Sequence, residues 1–112
     1  MRNSLIRGES GRDPMLVLAR RPGQTIVIGD RLFVSLVDIL PGAVNLATFD
    51  SFVRSHSVVR VEEGRWKQVA PRTWARFCGI GQNGSVRLGI DTALSTSVHR
   101  KEIWDVLRGH GS

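Results

Sequence analysis

From residue 15 onward the chain runs in short apolar stretches, each closed by a Gly, Pro, Asn or Asp turn signal, and this pattern predicts strands. MLVLARRPGQTIVIGDRLFVSLVDIL (15–40) holds three of them. Met15-Leu16-Val17-Leu18 is an apolar run ended by Arg20-Arg21-Pro22-Gly23, and Gln24 to Ile28 ends at Gly29-Asp30. Such residues punctuate because proline pre-sets φ and glycine accepts positive φ at no steric cost. Leu32 to Ile39 is long and rich in β-branched and aromatic residues, a composition that suits a pleated, half-buried surface, and Pro41-Gly42 closes it.

The stretch from 43 to 80 is less regular. AVNLATFD reads as another strand, DSFVRSH (50–56) as a short helical turn, and Ser57–Val61 with Arg65–Val69 as a hairpin around Gly64. TWARFCGI (73–80) fits a strand or a helical turn. Beyond the tight turn Gly81-Gln82-Asn83-Gly84, Ser85 to Ile90 alternates with Val86, Leu88 and Ile90 on one face. DTALSTSVHR carries a loop and one more short strand. Lys101 to Arg108 then places Ile103, Trp104 and Leu107 at helical spacing before Gly109. Residues 1–14 are polar and aperiodic, the pattern of a disordered leader, so that Met15 opens the domain, and 109–112 read as a flexible tail. No repeat is visible. The expectation is one mainly β domain over 15–108 with a short C-terminal helix.

Composition narrows the chemistry. At 112 residues there is room for one domain, and the single cysteine, Cys78, excludes an intrachain disulfide and reads as a buried structural thiol. No apolar run approaches the roughly 20 residues of a membrane helix, and residues 1–14 lack the apolar core of a signal peptide, so a cytoplasmic protein is expected. The net charge is +6, and fourteen of the sixteen cations are arginine. A guanidinium offers a planar donor fork for phosphates and base edges, which points towards nucleic acid.

Catalysis finds little support. There is no nucleophile elbow, His-Glu-x-x-His pair, phosphate-binding glycine loop or close-spaced metal-ligand cluster, so no enzyme activity, cofactor or metal is expected. His99 and Glu102 are three apart, but His99 sits where the pattern is still strand-like and reads as a packed residue at a strand–helix junction. Arg20 and Arg21 end the first strand and Arg100 ends the last. If those strands are neighbours, three guanidiniums converge on one sheet edge, where phosphate contacts supply affinity and arginine forks specificity; otherwise they are solvated strand-end charges.

Two blocks carry a family resemblance. MLVLARRPGQTIVIGD (15–30) and SVRLGIDTALSTSVHRKEIWDVL (85–107) resemble the bacterial carbon storage regulator family, the Csr/Rsm translational regulators, in content, order and internal spacing. The resemblance implies a small homodimer of interleaved strands, with the first strand of one subunit beside the last strand of the other. It implies RNA as partner: GGA cores in hairpin loops of messenger leaders, and small regulatory RNAs. By position, Leu18, Arg20, Arg21, Val98, Arg100 and Ile103 match the family's RNA-contacting residues. Arg100 would hold RNA near the loop, Arg20 and Arg21 would engage backbone and bases, and Leu18, Val98 and Ile103 would pack against splayed bases.

The sequence also departs from the family. Ala19 stands where Thr or Ser is usual, Gln24 where Glu is usual, and Ala93 where Pro is usual. Some 40 residues, about 41–80, lie where the family has a tight turn between its second and third strands, and they read as a single insertion. An alternative register puts the tight turn at Pro41-Gly42, with AVNLATFD as a decayed third strand and a second copy of that strand later. The stretch holds six cations (Arg54, Arg60, Arg65, Lys67, Arg72, Arg76) against three acids (Asp50, Glu62, Glu63). With Trp66, Trp74, Phe49, Phe52 and Phe77 it is too apolar for a free linker. Its readings are a packed elaboration of the sheet, an extended RNA surface, or a site for a protein partner. On the last reading the protein is a Csr-like interaction module whose insertion has replaced or modified RNA binding.

Overall fold

The computed structural model describes residues 16–93 and 95–109. The expected leader 1–14, Met15 as opening residue, and the tail past Gly109 lie outside them. Nine strands and one helix follow in order: β1 (Leu16–Arg20), β2 (Thr25–Ile28), β3 (Leu32–Leu40), β4 (Ala43–Asp50), β5 (Ser55–Glu62), β6 (Trp66–Ala70), β7 (Thr73–Ile80), β8 (Val86–Asp91), β9 (Val98–Arg100) and α1 (Lys101–Leu107). The strands form two antiparallel sheets, ordered β1-β8-β7-β6 and β5-β4-β3-β2-β9. The expected class, mainly β with one short C-terminal helix, is the observed one.

Turn chemistry explains the hairpins. Gly29 and Asp30 have φ of 64° and 57°, and the Arg31 N–H donates to the Ile28 carbonyl at 3.3 Å. Two successive positive-φ residues are what a two-residue hairpin needs to match the twist of its strands. Pro41 and Gly42 (φ 71°) form the next corner, proline first and glycine in the left-handed position. β3 and β4 therefore pair from Leu40↔Ala43 back to Leu32↔Asp50. The tight turn thus follows β3 directly, at the place the alternative register gave it, and residues 41–80 supply β4 to β7 of the two sheets.

Two further expectations change. Residues 51–54 form a turn rather than a helix, with Asp50 Oδ1 accepting from the Phe52 N–H at 2.9 Å and Arg54 at φ 58°, and His56 is already in β5. The expected hairpin around Gly64 is not a hairpin: β5 pairs with β4, and β6 with β7. At Gly64 (φ 80°) the chain crosses from one sheet to the other, its N–H donating to the Phe77 carbonyl at 2.9 Å. TWARFCGI, which fitted strand or helix, is β7.

The two sheets share one core. Ile26, Val34, Leu36, Val44, Leu46 and Val61 from one, and Leu16, Ala75, Phe77, Val86, Leu88 and Ile90 from the other, belong to a single apolar cluster. β1 enters it by pairing with a strand some 70 residues away, Leu18 opposite Leu88. Cys78 is half-buried, its Sγ directed at the Arg76 carbonyl at 3.7 Å. No helix among the described residues is long and apolar enough to cross a membrane.

Candidate nucleic-acid interface

β1 and β9 each end their sheet among the described residues, β1 paired only with β8 and β9 only with β2. They flank one shallow depression of about 290 Å³, lined by Leu16, Leu18, Val98, His99, Arg100, Ile103 and Leu107. A terminal strand leaves alternate backbone N–H and C=O groups without ladder partners, so such a place offers hydrogen bonds as well as apolar side chains. Four of the six expected site residues, Leu18, Val98, Arg100 and Ile103, line it. They meet within one chain, whereas the resemblance placed the first and last strands of different subunits side by side.

Within the depression the side chains differ in what they present. Leu18 is half-buried, Ile103 is 46% exposed, and Val98 is buried in the shared core, so Val98 presents backbone more than side chain. Arg100 is exposed, and no hydrogen bond or ion pair holds its guanidinium among the described residues. It caps α1 with extended backbone (φ −61°, ψ 142°), which ends the strand and aims the helix away.

Arg20 behaves differently from the expectation. Its side chain is only 4% exposed, and its donors are engaged inside the protein. Nε donates to the Ala19 carbonyl at 2.8 Å and Nη1 to the Thr25 carbonyl at 3.0 Å. The fork closes on Glu102, Nη1 to Oε1 at 3.1 Å and Nη2 to Oε2 at 2.7 Å. This bidentate geometry is the strong form of the pair. The hydrogen bonds from Arg20 hold the Glu102 carboxyl down at about 2, from 4.5. Arg20 thus ties β1 to α1 beneath the depression and does not line it. The spacing of 82 residues between the partners gives no sequence signal for this pair.

Arg21 is exposed and also lies off the lining, its Nη2 donating to the Asn83 carbonyl at 3.0 Å. Its backbone N–H donates to Gln24 Oε1 at 2.8 Å, so the glutamine that replaces the usual glutamate still serves as an acceptor. His99 pairs with Val27 in the ladder and is half-buried, a junction residue as expected. Glu102, its suggested acid, is engaged by Arg20. Among the described residues no three His, Cys, Asp or Glu side chains group as metal ligands.

α1 has no buried residue and is held by a few directed contacts besides Arg20. Trp104 Nε1 donates to Asp30 Oδ1 at 2.7 Å, and its ring meets Phe33 edge-on at 5.5 Å. Arg108 pairs with Asp30 Oδ2 at 3.3 Å. The Gly29-Asp30 turn is therefore also the anchor of the helix that carries Ile103 and Leu107. Leu16, Leu107 and the Trp104–Asp30 contact were not singled out by sequence reasoning. Only the helical spacing of Trp104 and Leu107 hinted at them.

A family comparison covers the β1 side of this depression. The model of CsrA, a global regulator protein family, matches residues 15–63. This stretch is similar to the CsrA family. The CsrA match extends past Pro41-Gly42 and ends with β5, in keeping with the tight turn seen there. CsrA proteins are post-transcriptional regulators, typically RNA-binding. The second block of resemblance, 85–107, lies outside the matched residues and supplies β9 and α1. No curated protein and no solved structure matches the chain.

Proposed function

We propose that this protein is a sequence-selective RNA-binding post-transcriptional regulator that recognises GGA-containing hairpin loops in messenger leaders and modulates translation or messenger stability in the cytoplasm. Small regulatory RNAs with the same loops are further ligands. The observation that carries the reading is the unengaged Arg100 guanidinium beside an apolar depression between two terminal strands. Loop bases are unstacked and can be splayed onto apolar side chains while their edges meet backbone groups and arginine forks. Arg100 holds the RNA, and Leu18 and Ile103 pack against bases. Val98 offers backbone, Arg21 contacts phosphates at the margin, and Arg20 positions β1 against α1.

Arg100→Ala tests this in a gel-shift with a GGA-loop hairpin. The affinity should fall by about 1–3 kcal/mol, or roughly 5- to 150-fold. Unchanged affinity with the fold intact would discard the site. The alternative is a protein-interaction module, favoured by one feature: Phe52, Val53 and Val58 are exposed together around the β4–β5 turn. Absence of any RNA footprint, with recovery of a stable protein complex dependent on these three residues, would put that reading in its place.

A further inference from the structure

The two sheets are built alike. The order β5-β4-β3-β2 becomes β1-β8-β7-β6 when each strand of the first half is exchanged for the strand four places away. The register agrees pair by pair. Leu18↔Leu88, Leu16↔Ile90 and Arg20↔Val86 correspond to Val59↔Leu46, Ser57↔Thr48 and Val61↔Val44. Ile26↔Val34 corresponds to Lys67↔Ala75, and Leu36↔Leu46 to Phe77↔Leu88. Even the turn bonds recur: Gly23 N–H to the Leu36 carbonyl and Gly64 N–H to the Phe77 carbonyl, 41 positions on. A bulge follows Leu36 in β3 and Phe77 in β7. Chance does not reproduce registers, bulges and turn bonds together.

We infer that the chain is two copies of one β unit joined head to tail, each lending its first strand to the other's sheet, so that one chain is its own partner and carries a single RNA-binding edge. The single edge follows from what the first copy lacks. After β8 the chain continues into β9 and α1; after the corresponding strand β4 it turns within residues 51–54 straight into β5. Among the described residues no strand covers the outer edge of β6 as β9 covers that of β2. The residues have followed suit. Arg20, which needs Glu102 of α1, has as counterpart the fully buried Val61. Buried Val27, beneath β9 and α1, has the exposed Gln68. The outer side of β6 carries Lys67, a register slip between Gln68 and Ala70, and then Pro71, devices that discourage another strand from adding.

The RNA part rests on the proposed function; the internal pairing does not. Light scattering or native mass spectrometry of the full chain without RNA should give the single-chain mass of 12.4 kDa at micromolar concentration. A two-chain mass would overturn the internal pairing, whatever RNA does. Titration with a hairpin bearing one GGA loop should saturate at one RNA per chain, and Arg60→Ala with Lys67→Ala at the counterpart edge should leave affinity within twofold. Two RNAs per chain, or a loss with the Arg60/Lys67 variant equal to that of Arg100→Ala, would overturn the single edge. A single-chain protein that binds no hairpin at all would sink the RNA reading and leave the internal pairing standing.

Discussion

At the scale of single residues, the Arg20–Glu102 pair separates two roles that sequence position alone assigned together. Arg20 and Arg100 both end strands, yet one is buried in the fold and the other free at its surface. Glu102→Ala should cost about 1 kcal/mol in chemical denaturation. That is the low end for leaving a buried donor unpaired, because water reaches the place of a carboxylate that is 54% exposed. The pair also sets a pH response. The Glu102 carboxyl is held at about 2 against 4.5 unperturbed, a lowered value, so its contribution is present above 4.5 and lost as pH falls towards 2. Backbone resonances of 101–107 followed through that window should show α1 loosening in the native protein, and Glu102→Gln should remove the pH response.

At the scale of elements, α1 is the least secured part of the fold. A seven-residue helix is too short to hold itself in water, and this one buries no residue. Its place depends on Arg20 at one side and on Trp104 against Phe33 and Asp30 at the other. Trp104→Ala should therefore speed amide exchange across 101–107 by at least tenfold while β2, β3 and β4 keep their protection. It should also weaken RNA binding, since Ile103 and Leu107 ride on the helix. Equal loss of protection in the sheet would mean that α1 is integral to the fold rather than docked on it. Strand lengths and turns were largely readable in the chain because they depend on neighbours in sequence: Gly29-Asp30 and Pro41-Gly42 fall where their residue types demand. The β5–β6 connection was not. Two apolar runs around a glycine look like a hairpin whether they pair with each other or, as here, with strands of two different sheets.

At the scale of the whole molecule, exchanged first strands and a common core make the sheets interdependent. β1 belongs to the first copy but completes the sheet of the second, and β5 does the reverse. Unfolding should accordingly be one transition. Trp66 and Trp74 report on one sheet and Trp104 on the other, so single-tryptophan variants should give coincident denaturation midpoints. Phe77→Ala, emptying the largest fully buried side chain, should lower stability by about 3–5 kcal/mol. Out of a total of about 5–15 for such a domain, that is enough to move both midpoints together. Separate midpoints would show two sheets that fold independently.

The chain by itself determined a β-rich fold ending in a helix, the placement of most turns, the cationic character, and the strand-end position of Arg100. These follow from side-chain periodicity, from the φ preferences of Gly, Pro and Asp, and from residue charge, all of which act over a few neighbouring residues. Only the tertiary structure decided which strands are partners. Nine strands of similar pattern offer many antiparallel pairings, and their relative free energies depend on the core they jointly close, not on any one of them. That is why residues 41–80 read as an insertion, whereas they supply the last strand of one unit, β4, and the first three of the next, β5 to β7. It is also why the repeat showed only as a possible second copy of one strand: burial and register recur, as in Thr48 and Ile90 or Val34 and Ala75, with little recurrence of residue identity. Arg20 was legible as a basic strand end. Its burial against Glu102 follows from β1 and α1 meeting beneath one depression, a meeting that only the closed fold brings about.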